Sequence, residues 1–293
     1  TTTSAAPTLD QTAEKTDGGL TIIRLEGRGA TFSAALLLEG GALDDPIGLP
    51  GLTAWLPEAA LVEVGGNPAE TLVPHQRAFK YGGVILPVAD GQRIGWAVVG
   101  PRSQADDLLA LLSDVALAAT YPAAEVQLLA RQARQSLEAE QDGQIRDAIN
   151  VAAGMALGLD RPIAVQATAR LYDSVNREHL VRHHRAMIRP DYATLVLSTG
   201  GVSIPAELST WRSTELRSRP PKTCRPHGRQ VHAITDPDRD PERSLMLLAS
   251  ALPQGEGHMQ TGLAALLKLL NSRRGTLLEP GIGRDQAERA TPT

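Results

Sequence analysis

The spacing of apolar positions divides most of the chain into strands and helices. Runs of apolar or alternating residues that are typical of strands lie at 20–25, 31–38, 84–88, 93–99 and 192–198. Runs with apolar residues three and four positions apart predict helices at 51–64, 75–81, 103–119, 123 to about 141, 145–157 and 175–188. Strands and helices do not alternate one by one along this order. The pattern therefore predicts an α+β fold rather than a repeated βαβ fold.

The stretch 36–66, LLLEGGALDDPIGLPGLTAWLPEAALVEVGG, carries the most informative pattern. It begins with the end of an apolar strand and continues into a turn rich in glycine, aspartate and proline. A helix is predicted from Gly51, with Leu52, Trp55 and Leu56 on its apolar stripe and a glycine pair after its end.

This order of strand, Asp-Pro turn, Gly-Leu, helix and glycine resembles the entry to the zinc-site helix of the pitrilysin/insulinase (inverzincin) family of zinc peptidases. In active members that helix carries H-x-x-E-H, which supplies two histidine ligands and a glutamate base. Matching Gly51-Leu52 to the Gly-Leu of the family places Ala54 at the first histidine, Pro57 at the glutamate and Glu58 at the second histidine. The resemblance therefore implies a degenerate, non-catalytic member that has lost the zinc-binding motif and holds no metal of its own.

The resemblance extends over about 18–202 and implies a LuxS/processing-peptidase-like α/β roll. Tyr121-Pro122 before a charged helix and Arg189-Pro190 before an apolar strand follow the order found in the family. The third zinc ligand of the family is a glutamate in the long helix. Its position falls at Ser136, or at Glu138 if the alignment shifts by two residues.

Composition and the resemblance together predict four segments. They are a disordered polar tail at 1–17, a complete peptidase-like domain at 18–202, a Pro/Arg-rich linker at 203–230 and a partial second peptidase-like domain at 231–293. The last segment offers one strand at 244–251 and one leucine-rich helix at 261–270. One strand and one helix cannot bury both of their faces, so we expect this truncated domain to be poorly protected from hydrogen exchange or to dock on another chain.

Charge and cysteine content exclude several classes of protein. The formal net charge is −4, and only 3% of the residues are aromatic, which argues against nucleic-acid binding. The single cysteine, Cys224, rules out an internal disulfide and a Cys-x-x-Cys metal motif. No apolar run is long enough for a membrane span. The small, polar N-terminal segment, which begins with Thr1, favours a periplasmic or otherwise exported protein, with a cytoplasmic protein as the alternative.

Histidine spacing suggests one further site to weigh. His179 and His183 are four residues apart on a predicted helix, and two imidazoles at that spacing can hold a metal ion. The pattern favours an exposed polar helix face over such a site. His227 and His232 lie in linker-like sequence, where metal binding has less support.

Two pairs of charged residues complete the candidates. Asp44 and Asp45 can be interpreted as paired carboxylates for acid–base chemistry, but their place before Pro46 favours a turn-forming role. The resemblance implies that a subunit without zinc can hold substrate through an Arg/Tyr pair in its second domain. Arg273 and Arg274 fall near that arginine, although all four tyrosines precede the linker.

Three functions follow from the resemblance. The first is a non-catalytic subunit that pairs with a homologous, zinc-containing peptidase subunit and contributes chamber wall, peptide binding and stability. The second is a purely structural subunit, like the inactive relatives in respiratory complexes, and the third is a metalloenzyme with a rebuilt site. The neighbouring chain discriminates between the first two, because only the first requires an H-x-x-E-H protein.

Overall fold

The computed structural model describes residues 11–27, 29–65, 72–89, 93–139, 150, 167–198 and 201–213. The chain divides into two compact units, the first formed by Thr1–Gly143 with Gln166–Lys222 and the second by Gln144–Val165 with Thr223–Thr293. Apart from Asn150, the second unit lies outside the described residues. The same is true of the predicted helix at 145–157 (again apart from Asn150), the predicted second domain at 231–293, His227, His232, Arg273 and Arg274.

A six-stranded sheet forms the centre of the first unit. Its strands are β1 (Gln11–Lys15), β2 (Thr21–Leu25), β3 (Thr31–Glu39), β4 (Val84–Ala89), β5 (Arg93–Pro101) and β6 (Ala193–Leu197). They lie in the order β1-β2-β6-β3-β5-β4. β2 and β6 are parallel, and the other neighbours are antiparallel.

The described helices follow the order that the sequence predicts, with two additional short helices at 169–174 and 206–209. The helices are α1 (Leu52–Ala59), α2 (Pro74–Lys80), α3 (Ala105–Ala118), α4 (Ala123–Ala139), α5 (Ala169–Ser174), α6 (Arg177–Met187) and α7 (Ala206–Ser209). The mixed α+β architecture is therefore confirmed. None of the helices in the described ranges is both long and apolar enough to cross a membrane.

One face of the sheet forms the main core. Alternate residues of β3, namely Phe32, Ala34, Leu36 and Leu38, are buried, while the residues between them are partly exposed. Leu52 and Leu56 of α1 and the leucines of α3 belong to the same apolar cluster. Burial of each large side chain contributes roughly 1.5–3 kcal/mol, so this face fixes both the register of the sheet and the position of α1.

The predicted helix at 51–64 ends earlier than its apolar stripe suggested. The helix stops at Ala59, and Val64 forms an isolated bridge with Ala119. Gly65 N–H donates to the carbonyl of Ala118 at 2.7 Å, and Thr120 N–H donates to that of Glu63 at 3.2 Å. These tertiary hydrogen bonds compete with the helix, which is why 60–64 leave it despite an apolar pattern.

The structure also differs from two predicted segment boundaries. Gln11–Lys15, within the expected disordered tail, pair with β2 as strand β1, where Arg24 approaches Glu14 at 3.4 Å. Main-chain pairing therefore orders this polar segment although all five of its residues are exposed. Beyond 202, α7 buries Leu208, and the main chain of Trp211 lies against Gly18. The beginning of the predicted linker thus packs on the first unit.

Candidate functional site

Helix α1 begins on a buried carboxylate. Asp45 is 8% exposed and accepts hydrogen bonds from Gly51 N–H at 2.6 Å and Thr53 N–H at 2.8 Å. Both amides belong to the first turn, whose N–H groups have no partner within the helix. The negative charge also faces the positive end of the helix dipole. The turn-forming role predicted for Asp45 is confirmed, and Asp44 likewise accepts from Gly41 N–H at 3.0 Å.

The three zinc-motif positions predicted from the resemblance lie on α1. Ala54 is half-buried, Pro57 is buried and Glu58 is exposed. The alanine and proline side chains have no lone pair for a metal. Pro57 contributes its carbonyl to the core instead, where it accepts a 2.8 Å hydrogen bond from the Trp96 indole. Of these three residues, only Glu58 therefore has a side chain that could coordinate a metal ion.

Partial desolvation raises the pKa of Glu58 above its ordinary value, and the nearby charge of His75 lowers it to a smaller extent. His75 is an exposed residue of α2. One carboxyl and one imidazole do not form a closed zinc site, which needs four ligands. Within the described ranges, no group of three or more His, Cys, Asp or Glu side chains could hold a metal ion.

Both candidates for the third ligand lie on the outside of α4. Ser136 and Glu138 are exposed. The Glu138 carboxylate accepts a 2.9 Å hydrogen bond from Arg134, which also forms an ion pair with Asp173 of α5. Glu138 thus takes part in a surface ion-pair network, whereas Ser136 offers only a hydroxyl.

The predicted exposed face of α6 is wrong for His183, which is 5% exposed. The error has a clear physical reason. Leu180, His183, His184 and Met187 occur at the three- and four-residue spacing of a buried helix stripe, and all four are buried. The imidazoles belong to this buried stripe although they are polar, because each finds a hydrogen-bonding partner in the core. His179, one turn earlier, is partly buried.

Each buried imidazole connects α6 to another element. The His183 Nε2 and the Thr53 hydroxyl of α1 are 2.9 Å apart, and the His184 Nδ1 and the Tyr121 hydroxyl are 2.7 Å apart. Tyr121 has φ of 54°, in the left-handed region that non-glycine residues rarely adopt. These contacts hold the backbone before α4 and the first turn of α1 against the same helix.

Burial fixes the protonation of the second pair. Desolvation lowers the pKa of His184 from 6.5 to about 4, although a hydrogen bond to the backbone of Ala116 acts in the opposite direction. Burial also raises the pKa of Tyr121. At neutral pH the imidazole is therefore uncharged, and the protonated Tyr121 hydroxyl can donate to it. This network was not predicted from the sequence, although the Leu-x-x-His-His-x-x-Met stripe indicates that both histidines are buried.

Several solved structures of peptidases, among them an M16-like peptidase and pitrilysin, are similar in fold to this chain. A protease from Helicobacter pylori superposes on 75% of this chain with a TM-score of 0.59 and 11% identity, over 54% of its own length. The periplasmic protease PqqL from Escherichia coli matches 73% of the chain with a TM-score of 0.58 and 15% identity, over 26% of its length. Pitrilysin matches 66% with a TM-score of 0.54 and 15% identity, over 21% of its length.

These comparisons establish the fold. No family model matches the sequence, and no curated protein does so either. The chain spans about half the length of the Helicobacter protease and about a quarter of PqqL. The first half of PqqL, solved by itself, matches 73% of this chain over 49% of its own length with a TM-score of 0.57.

Proposed function

We propose that this chain is a non-catalytic subunit of a zinc-peptidase-like heterodimer. In this proposal its homologous partner carries the H-x-x-E-H motif and the zinc ion, and the pair acts on peptides. This chain contributes a wall of the chamber, a surface for peptide contact and stability to the partner. The observation that carries the proposal is the peptidase-like fold, in which α1 bears Ala54, Pro57 and Glu58 at the positions that the sequence resemblance assigns to the motif.

The match to one half of a longer protease supports a pairing. The matched part of this chain covers 54% of the Helicobacter protease and 21% of pitrilysin, so both structures extend beyond it. A peptidase of this fold that is assembled from shorter chains needs a second subunit. The charge of the chain is small, so we expect this association to depend mainly on apolar surface.

Metal analysis and a peptidase assay test the loss of catalysis. We expect the purified chain to contain far less than one zinc ion per molecule and to cleave no unfolded casein. The reason is that at least three suitably placed ligands are needed for a catalytic zinc. A tightly held zinc ion in each molecule, removed together with activity by a chelator, would contradict the proposal.

Co-purification from the native source tests the pairing. A tagged chain should recover a homologous H-x-x-E-H protein, and zinc and casein cleavage should follow that protein. Recovery of a large complex without any H-x-x-E-H protein would instead support a purely structural subunit.

One observation favours this structural alternative. Tyr121, Tyr172 and Tyr192 are engaged in packing: Tyr121 contacts His184, Tyr172 lies edge-on to Trp55 at 5.3 Å, and Arg189 stacks on Tyr192 at 5.3 Å. The fourth tyrosine, Tyr81, packs against the core. All four tyrosines of the sequence are therefore engaged in packing within the first unit, which favours a structural role for them over substrate contact.

A further inference from the structure

The strand β4 is a free edge of the sheet, and its surface is apolar. Among the described residues, β4 pairs with β5 only, so its other side has no strand partner. Val84 is 49% exposed and Leu86 is 51% exposed. A free strand with exposed apolar side chains is a template for another strand, whether from a peptide or from a second protein.

The middle of this edge carries a proline. Pro87 is exposed and lies opposite Trp96 in an antiparallel register that continues without interruption from Val84 to Ala89. In such a ladder, alternate residues direct their N–H and C=O groups toward the neighbour and away from it. Proline has no N–H, so an intact ladder requires that residue 87 faces away from β5.

This alternation determines which backbone N–H and C=O groups of β4 are available to an added strand. Ile85, Pro87 and Ala89 direct their backbone toward the open side, and Val84, Leu86 and Val88 bond to β5. An added strand would therefore find a missing donor at Pro87, between two normal positions. The pyrrolidine ring would also occupy the space that the carbonyl of the added strand needs.

Pro87 lies close to α1, the helix that carries the positions assigned to the zinc motif. Trp96, the register partner of Pro87, donates to the carbonyl of Pro57 on α1. The opposite edge of the sheet is protected in a different way. There β1 has the sequence QTAEK, with every residue exposed and two of them charged. Each edge thus carries a feature that discourages further strand pairing, charge on β1 and proline on β4.

We propose that Pro87 closes the β4 edge, so that this chain does not bind an extended peptide by strand addition next to its degenerate motif. The inference follows from the sheet alone and does not depend on the proposed pairing. It does restrict that function: peptide contact by this subunit would use side chains and not the β4 backbone. Strand addition would then belong to the partner.

Hydrogen exchange of the wild-type protein tests directly which amides of β4 bond to β5 and which face the open side. The Leu86 and Val88 amides, which bond to β5, should exchange slowly, and the Ile85 amide, which faces the open side, should exchange fast. Slow exchange of Ile85 together with fast exchange of Leu86 would overturn the proposal.

A peptide-binding experiment tests the block itself. The probe is a short fluorescein-labelled peptide of alternating Val and Thr, compared with the same peptide methylated on alternate backbone nitrogens. We expect no saturable binding by the wild type. Pro87→Val should bind the peptide with a Kd at least about tenfold below the highest wild-type concentration tested, and methylation of the peptide should abolish this binding. Pro87→Ala restores the amide with less change in side-chain shape, so it should show the same gain in a weaker form.

The matched control is Ala89→Val, which adds a β-branched side chain to the same edge and leaves Pro87 in place. It should bind no better than the wild type. Methylation-sensitive binding by the wild type, equal to that of both Pro87 variants, would show that the edge is open. Should Pro87→Val unfold, as its melting temperature would reveal, Pro87→Ala and the wild-type exchange pattern decide the matter.

Discussion

At the scale of single residues, buried polar side chains determine how the motif helix is held. Asp45 binds the first turn of α1, His183 meets Thr53 of that turn, and His184 binds Tyr121. A buried polar group without a partner costs about 1–3 kcal/mol, so the pairs constrain one another. Apolar packing alone would position α1 less strictly, since apolar contacts are not directional.

His184 should make the stability of the protein depend on pH. Its pKa is about 4 in the folded protein and 6.5 when unperturbed. Between these values the unfolded chain binds a proton that the folded chain does not, so stability decreases as the pH falls from 6.5 to 4 and then levels off. A shift of this size corresponds to about 3 kcal/mol. Chemical denaturation over this pH range measures the effect.

Two variants isolate the contribution of His184. His184→Phe should lose this part of the pH dependence, and its stability at pH 7 should decrease by about 1–3 kcal/mol because the Tyr121 hydroxyl loses its partner. Tyr121→Phe leaves the imidazole buried and should keep a decrease of stability toward low pH, because burial is the main cause of the lowered pKa of His184. An unchanged slope in His184→Phe would show that another group causes the pH dependence.

At the scale of secondary structure, α1 depends on its cap more than on its own sequence. The helix has only eight residues, and Pro57 in its interior removes one of its hydrogen bonds. Short helices are marginal in isolation. The Asp45 carboxylate and the core contacts of Leu52 and Leu56 therefore stabilise it.

Replacement of Asp45 tests this dependence. Asp45→Ala removes two short hydrogen bonds and leaves the Gly51 and Thr53 amides without a partner, so we expect a loss of about 2–3 kcal/mol. Asp44→Ala is the matched control and should cost less, because Asp44 is only partly buried and caps a single turn. Urea denaturation measures both variants. Equal losses would mean that Asp45 has no special role in α1.

Some of these helices and strands could be predicted from the sequence and others could not. Alternation in β3 and the helical stripe in α3 identified those elements, because each buries one face against the core. The end of α1 could not be predicted, because a tertiary bridge between Val64 and Ala119 sets it. Strand β1 was missed for a similar reason, since pairing with β2 and not its own apolar pattern makes it a strand.

The candidate site was predicted in part. The three positions that the resemblance assigns to the zinc motif lie on the predicted helix, and Asp45 forms the predicted turn. The buried partners of His183 and His184 come from residues more than sixty positions away, and only the fold brings them together. No local pattern contains such a pair, although the stripe on α6 showed which histidines were buried.

At the scale of the whole molecule, the match to one half of a longer protease is the main argument for association. The chain covers only part of each peptidase that it resembles, from 54% of one to 21% of another. Its sequence also predicts a helix at 261–270, outside the described residues, with Leu263, Leu266, Leu267 and Leu270 on one face. An apolar face of this kind, if left in water, would forgo roughly 1.5–3 kcal/mol of burial energy for each leucine.

The final prediction is that this leucine face carries the association with the partner subunit. Leu266→Asp combined with Leu270→Asp should abolish recovery of the partner, because two carboxylates would have to be desolvated in an apolar contact. Ala265→Asp places the same group on the opposite side of the predicted helix and should leave the complex intact. High salt should weaken the wild-type complex little, since screening acts mainly on exposed charges. Circular dichroism and the His184-dependent pH profile would show that the first unit stays folded in the double variant. A complex that survives the double substitution, or one that dissolves in high salt, would exclude an apolar interface at this helix.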